Sequence, residues 1–189
     1  MVAGIIMASG FSKRMGEDKL LIEIGGVKMV ERVIRSCKDS SLKEIILIYR
    51  KEEVRKIGDK YQLKTVYNPN ASFGQSESMK LGIKAAKDGK AYMFLTGDQP
   101  FITSKLIDRL IEEYEKDQYP IIVPYYNGRN GTPTIFSSRF KEDLLQIEGD
   151  KGGRDIIKRN ISLVKKVAIE DGILGFDVDT PIDFKGVIS

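Results

Sequence analysis

Ala3-Gly-Ile-Ile-Met-Ala-Ser-Gly-Phe-Ser-Lys-Arg-Met-Gly-Glu-Asp-Lys19 changes character halfway along its length. Val2 to Ala8 form an apolar run of the length and character of a buried strand. Small, flexible and cationic residues follow: Ser9, Gly10, Ser12, Lys13, Arg14, Gly16 and Lys19. Gly10 and Gly16 are expected to allow positive φ and a close backbone approach, turning successive N–H groups toward an anion. Arg14 offers a planar fork for phosphate, and Lys19 a point charge. A buried strand opening directly into such a loop reads as a triphosphate cradle. A solvated basic turn would use the same residue types. Two other phosphate loops fail on spacing. Gly16 is followed by Glu17 and Asp18, not by the Lys-Ser/Thr of a Walker loop, and no third glycine completes Gly-x-Gly-x-x-Gly.

Beyond this stretch the chain alternates. Met29, Val30, Val33, Ile34 and Cys37 keep a helical period to about residue 38. Strands are expected at Glu44–Tyr49, Leu63–Tyr67, Ala91–Thr96, Ile121–Tyr125 and Thr134–Phe136. Helices are expected at Glu52–Ile57, from Ser76 as N-cap to about 87, at Ser104–Lys116 and at Asp155–Asn160. Such α/β alternation fits one compact sheet. Open α/β sheets bind ligands at the carboxyl ends of their strands, and Gly97-Asp98-Gln99-Pro100 stands at one such end. There Asp98 can ligate Mg²⁺ or simply form a turn. Asp177 and Asp179, two apart on an extended segment, are expected to point the same way.

The chain has 189 residues, enough for one domain with a sizeable core. Its 31 basic and 27 acidic residues are interspersed, which speaks against nucleic acid despite a net charge of +4. The sequence contains no histidine, so a Ser-His-Asp triad and a His-ligated zinc site are excluded. No apolar run approaches the ~20 residues of a membrane span, and the first residues do not resemble a signal peptide. With Cys37 as the sole cysteine, these features lead us to expect a cytoplasmic protein without membrane contact.

Five segments in order resemble one family. They are Ala-Ser-Gly-Phe-Ser-x-Arg-Met-Gly-x-x-Lys-Leu-Leu (8–21), Gly-Gln-Ser-x-Ser (74–78), Asp-Gln-Pro (98–100), Gly-Asp-x-Gly-x-Arg (149–154) and Asp-x-Asp-Thr-Pro-x-Asp (177–183). Together they are similar to the molybdenum cofactor cytidylyltransferases, molybdopterin nucleotidyltransferase-like NTP transferases, with Ser9 and Gly153 where that family usually has Ala. The resemblance implies a single-domain, three-layer, Rossmann-like nucleotidyltransferase fold with a mostly parallel central sheet over residues 1–189. It also implies Mg²⁺-dependent transfer of CMP from CTP to the terminal phosphate of molybdopterin. In that picture Arg14, Lys19 and Asp98 are catalytic, and Asp98 and Asp179 hold Mg²⁺. Ala8, Ser9, Gly10, Ser12, Gly16, Gln75, Ser78 and Arg154 bind substrates, Arg154 at the acceptor's phosphate. The loop Asn127–Pro133 would floor the acceptor pocket, and a molybdenum hydroxylase would receive the finished cofactor. Open alternatives are a relative using GTP, one acting on a sugar or alcohol phosphate, and a non-catalytic nucleotide- or cofactor-binding module.

Overall fold

The structure, a computed structural model, describes residues 1–11, 18–87, 89–116, 118–179 and 183. The strands are β1 (Val2–Ala8), β2 (Glu23–Ile24), β3 (Val27–Lys28), β4 (Glu44–Tyr49), β5 (Lys64–Tyr67), β6 (Ala91–Thr96), β7 (Ile121–Tyr126), β8 (Arg129–Asn130), β9 (Thr134–Ser137) and β10 (Val164–Ile169). The α-helices are α1 (Met29–Lys38), α2 (Glu52–Lys60), α3 (Gln75–Ala85), α4 (Ser104–Glu115), α5 (Lys141–Leu145) and α6 (Arg154–Arg159). Among the described residues no helix is long and apolar enough to cross a membrane.

One sheet runs β10-β7-β9-β6-β1-β4-β5, with β8 paired to β7 as a hairpin. β6, β1, β4 and β5 are mutually parallel, as are β10 and β7. Only β9 in that order runs against its neighbours, lying antiparallel between β6 and β7. β1, buried at all seven positions, sits near the middle. Its alternating side chains enter two cores. Val2, Ile6 and Ala8 pack with the inward faces of α1, α2 and α4, while Ala3, Ile5 and Met7 pack with those of α3, α5 and α6. Three layers follow from that alternation.

Two features bring helices to the site. A Cβ on Gly82 would press into the Ile5 side chain, so glycine lets α3 lie close on β1. On the other face, Glu31 of α1 is buried and accepts from Tyr61 Oη at 2.7 Å, Lys60 Nζ at 2.9 Å and Arg35 Nη2 at 3.0 Å. Those donors, Tyr61 first and Lys60 next, hold its carboxyl down at about 2. The link fastens α1 to the end of α2.

Candidate active site

From β1 the chain moves outward to β4 and β5, then returns to β6 on the other side of β1. The strand order therefore reverses between β1 and β6, and the crevice beyond their carboxyl ends is the expected ligand site. A cavity of about 550 Å³ opens there. Ser9 and Gly10 border it from β1, Thr96 and Asp98 from β6, and Gln75 and Ser78 from the start of α3.

Its charged centre gathers three distant segments. Lys19 Nζ lies 2.6 Å from Asp98 Oδ2 and 2.5 Å from Asp179 Oδ1. Lys19 begins a short 3₁₀ turn (Lys19–Leu21) capped by Asp18, whose carboxylate accepts from Leu20 N at 3.2 Å. Asp98 follows the last residue of β6 by two. Asp179 arrives on a strap: Val178 N–H donates to Asp98 O at 3.1 Å, and the Val178 side chain is buried with Ile24 and Met29. Asp183 accepts from Asp179 N–H at 3.1 Å. Burial pulls the Lys19 pKa down, but Asp98 and Asp179 more than offset it and raise the ammonium above its ordinary value. Burial, then Asp98 and Asp179, push Asp177 up to about 6.

This donor set suits a hard divalent cation. Two carboxylates from separate segments converge on one point, held in this structure by the Lys19 ammonium. Asp98 Oδ1 is buried without a hydrogen-bond partner among the described residues. Those residues contain no cluster of three or more His, Cys, Asp or Glu able to hold a metal by itself. Mg²⁺ is commonly held that way, by one or two carboxylates plus substrate phosphates.

The expected residues divide into three groups. Ser9, Gly10, Lys19, Gln75, Ser78, Asp98 and Asp179 all meet at the cavity. Ser12, Arg14 and Gly16 lie outside the described residues. Ala8 and Arg154 are off the cavity wall: Ala8 is buried at the end of β1, and Arg154 stands exposed at the start of α6. The loop Asn127–Pro133 also contributes nothing to this wall; it forms the β7–β8 turn and its continuation into β9.

Two local readings need correction. Gly10 does not take the positive φ expected of it; among the described residues a Cβ there would meet nothing within 4 Å, and Gly10 borders the cavity. Ser76 is not the N-cap of α3. Gly74 is, at φ +103°, and Asp150 Oδ1 accepts the Gln75 N–H at 3.0 Å. A Cβ on Gly74 would meet Gly149 and Asp150 at 2.5–2.7 Å, so the loop carrying Asp150 docks where only glycine fits. The Gly149–Gly152 loop thus brings a carboxylate to the cavity wall.

Asn68 and Arg50 were missed. Asn68 is 1% exposed, and its Nδ2 donates to Ser9 Oγ at 3.0 Å and Ser78 Oγ at 3.2 Å. Its position between β5 and a proline read only as a turn. Arg50, just past β4, lies 4.3 Å over the Phe11 ring and donates to Gly10 O at 3.4 Å, bracing the entry to the basic loop.

Other proteins share this fold. The fold is that of Rv0371c from Mycobacterium tuberculosis H37Rv, with TM-score 0.87 and 22% identity over 99% of this chain and 97% of that one. Another structure of Rv0371c, a complex with manganese, gives TM-score 0.83 and 20% identity over 99% and 97%. The class is thus an α/β fold with a crevice of about 550 Å³ at its strand-order reversal. Residues 4–165 match the MobA-like NTP transferase domain, and the chain belongs to that family. A probable molybdenum cofactor guanylyltransferase of Natranaerobius thermophilus is 29% identical over 135 residues, 67% of this chain and 62% of that protein. A 2-C-methyl-D-erythritol 4-phosphate cytidylyltransferase of Dictyoglomus thermophilum is 32% identical over 117 residues, 59% and 51% respectively. The chain spans less than two thirds of the length of either relative.

Proposed function

We propose that the chain is a nucleotidyltransferase that, with Mg²⁺, moves CMP from CTP to the terminal phosphate of molybdopterin and releases pyrophosphate. What carries the reading is the meeting of Lys19, Asp98 and Asp179 at the rim of one nucleotide-sized cavity. A phosphate oxygen of the acceptor attacks the α-phosphorus; the new P–O bond forms as the bond to the β-phosphate oxygen breaks, and pyrophosphate takes the electron pair. The attacking phosphate has a second pKa near ~6 and is largely deprotonated at neutral pH, so a sequence without histidine lacks nothing the step needs.

Catalysis rests on alignment and charge. Asp98 and Asp179 would hold the metal, which when bound neutralises phosphate charge. Lys19 turns from the carboxylates to the β- and γ-phosphates and, with Arg14, balances the charge of the departing pyrophosphate. The open backbone at Gly10 receives the triphosphate, and the family resemblance assigns Ser12 and Gly16 to the same task. Ala8, Ser9, Gln75 and Ser78 shape the nucleoside end, and Arg154, outside the nucleotide cavity, is assigned to the acceptor's phosphate. A molybdenum hydroxylase in the cytoplasm would take the product.

A second donor has an observation in its favour, because the Natranaerobius relative is a guanylyltransferase by name. Incubation with each of the four nucleoside triphosphates, Mg²⁺ and extracted molybdopterin, followed by pyrophosphate assay and mass analysis, decides between them. The expected product is the cytidine dinucleotide. A guanine dinucleotide would move the donor to GTP. Nucleotide binding without pyrophosphate release on any acceptor, sugar and alcohol phosphates included, would leave a binding module.

A further inference from the structure

Asp18 directly precedes Lys19, and its two carboxylate oxygens face different neighbours. Oδ1 accepts the Leu20 N–H at 3.2 Å and caps the turn that carries Lys19. Oδ2 lies 3.2 Å from Lys51 Nζ and 3.9 Å from Arg50 Nη2, both on the connection between β4 and α2. Capping alone does not call for a charge, because Ser or Asn caps as well. The Asp18 side chain is only 5% exposed. A carboxylate so buried is costly unless it is paired, and the two cations pair it. Arg50 reaches further: the same Nη2 donates to Gly10 O at 3.4 Å, and the guanidinium covers the Phe11 ring. Gly10 and Asp18 therefore meet one guanidinium. On the other side of Lys19, the buried Leu20 side chain seats the turn in the core.

We infer that Asp18, held by Lys51 and Arg50, is a positioning residue for Lys19. The ion pair and the Leu20 anchor fix the backbone from which the Lys19 ammonium reaches Asp98, Asp179 and the triphosphate. The last of these rests on the nucleotide reading above. A lysine carries its charge on a flexible four-carbon stem, so a backbone fixed on both sides narrows where that charge can go. Charge alone predicts the opposite effect. Asp18 is an anion next to a residue that binds anions, so losing its charge should by itself tighten a polyphosphate. A positioning role predicts weaker binding, and only while Lys19 is present.

Calorimetric Kd values for Mg-tripolyphosphate and Mg-CTP separate the two, measured on the whole chain with Lys19 and again with Lys19→Met. Asp18→Asn keeps an oxygen for the cap and drops the charge. It should weaken both ligands about fivefold where Lys19 is present, the scale of one ion pair, and by less than about twofold in the Lys19→Met chain. Lys51→Gln breaks the pair from its half-exposed side with Asp18 intact. It should weaken both ligands about two- to threefold with Lys19 and hardly at all without it. If Asp18→Asn folds poorly by circular dichroism, Lys51→Gln carries the prediction. Unchanged or tighter binding in Asp18→Asn overturns the inference. So does a loss of equal size with and without Lys19 in either variant, since a disturbed fold or a plainly missing cation would act in both chains. Wild-type chain that binds neither Mg-tripolyphosphate nor Mg-CTP would instead overturn the nucleotide reading itself, and this role of Asp18 with it.

Discussion

One ammonium, Lys19, holds two carboxylates, Asp98 and Asp179, and burial first, then those two charges, push the neighbouring Asp177 up to about 6. Lys19 serves as the counter-ion to Asp98 and Asp179. Asp98 differs from Asp179 in having one buried oxygen, Oδ1, unpartnered among the described residues. Asp98→Asn keeps the shape and removes the charge. It should lower kcat/KM at least a hundredfold, ~2.7 kcal/mol, by analogy with the loss of one preorganised charge-directed group. Steady-state pyrophosphate release across a Mg²⁺ titration checks it; wild-type activity in the variant would take Asp98 out of the metal site. Lys19 and Asp98 stood out in the sequence by residue type, in a glycine loop and at a strand end, whereas Asp179 was brought beside them only by the family resemblance. Asn68 did not stand out, since an Asn before Pro is ordinary turn chemistry until tertiary contact brings it to two serines.

Helices α1 and α2 are joined through Glu31, and the bond is sensitive to pH. The Glu31 carboxyl lies at about 2 in the folded chain against 4.5 ordinarily. The unfolded chain therefore binds the proton more readily, so the stabilisation is fully present above about 4.5 and is lost as pH falls toward 2. Lys60 and Arg35 are largely exposed, so solvent screening reduces the effect. Glu31→Gln should then lower stability at pH 7 by on the order of 1 kcal/mol. Urea melts should show that difference shrinking from pH 5 to pH 3. At α3 the opposite of the usual glycine rule applies. Gly→Ala in a helix interior normally stabilises by about 1 kcal/mol. At Gly82, however, the new methyl would be forced into Ile5. Overpacking of this kind costs roughly 1–3 kcal/mol, so Gly82→Ala should lower the melting temperature by several degrees in a thermal scan. Long elements were readable from period alone, with α2 running three residues beyond its expected end. β10 and α5 were not. Lys165 and Lys166 interrupt alternation on an edge strand whose outer side faces solvent, and five residues of α5 are too few for a helical period to show.

Across the whole molecule, the site draws on residues 9, 19, 75, 98, 150 and 179, and the sheet alone does not close it. Closure depends on the strap, which no regular strand or helix holds at Asp177–Asp179. Sequence reading expected Asp177 and Asp179 on an extended segment and, through the family resemblance, Asp179 beside Asp98, but the packing that holds the segment was not readable. Among its anchors in the described residues are the backbone bond to Asp98, the Gln99 Nε2 bond to Gly175 O and the buried Val178 side chain. Such an anchor separates holding a metal ligand from being one. Val178→Ala removes packing worth roughly 2 kcal/mol, the scale of a buried large-to-small change. It should loosen the strap while leaving the Asp179 carboxylate intact. Turnover measured against Mg²⁺ should then show a half-saturating concentration raised several-fold, with kcat recovered at high Mg²⁺. Asp179→Asn should fail to recover at any concentration. If Val178→Ala instead lowered kcat at saturating Mg²⁺ with no shift in the Mg²⁺ requirement, the strap would be acting on the transferred group and not on the metal ligand. If neither variant shifted the requirement, Asp179 would have no part in holding the ion.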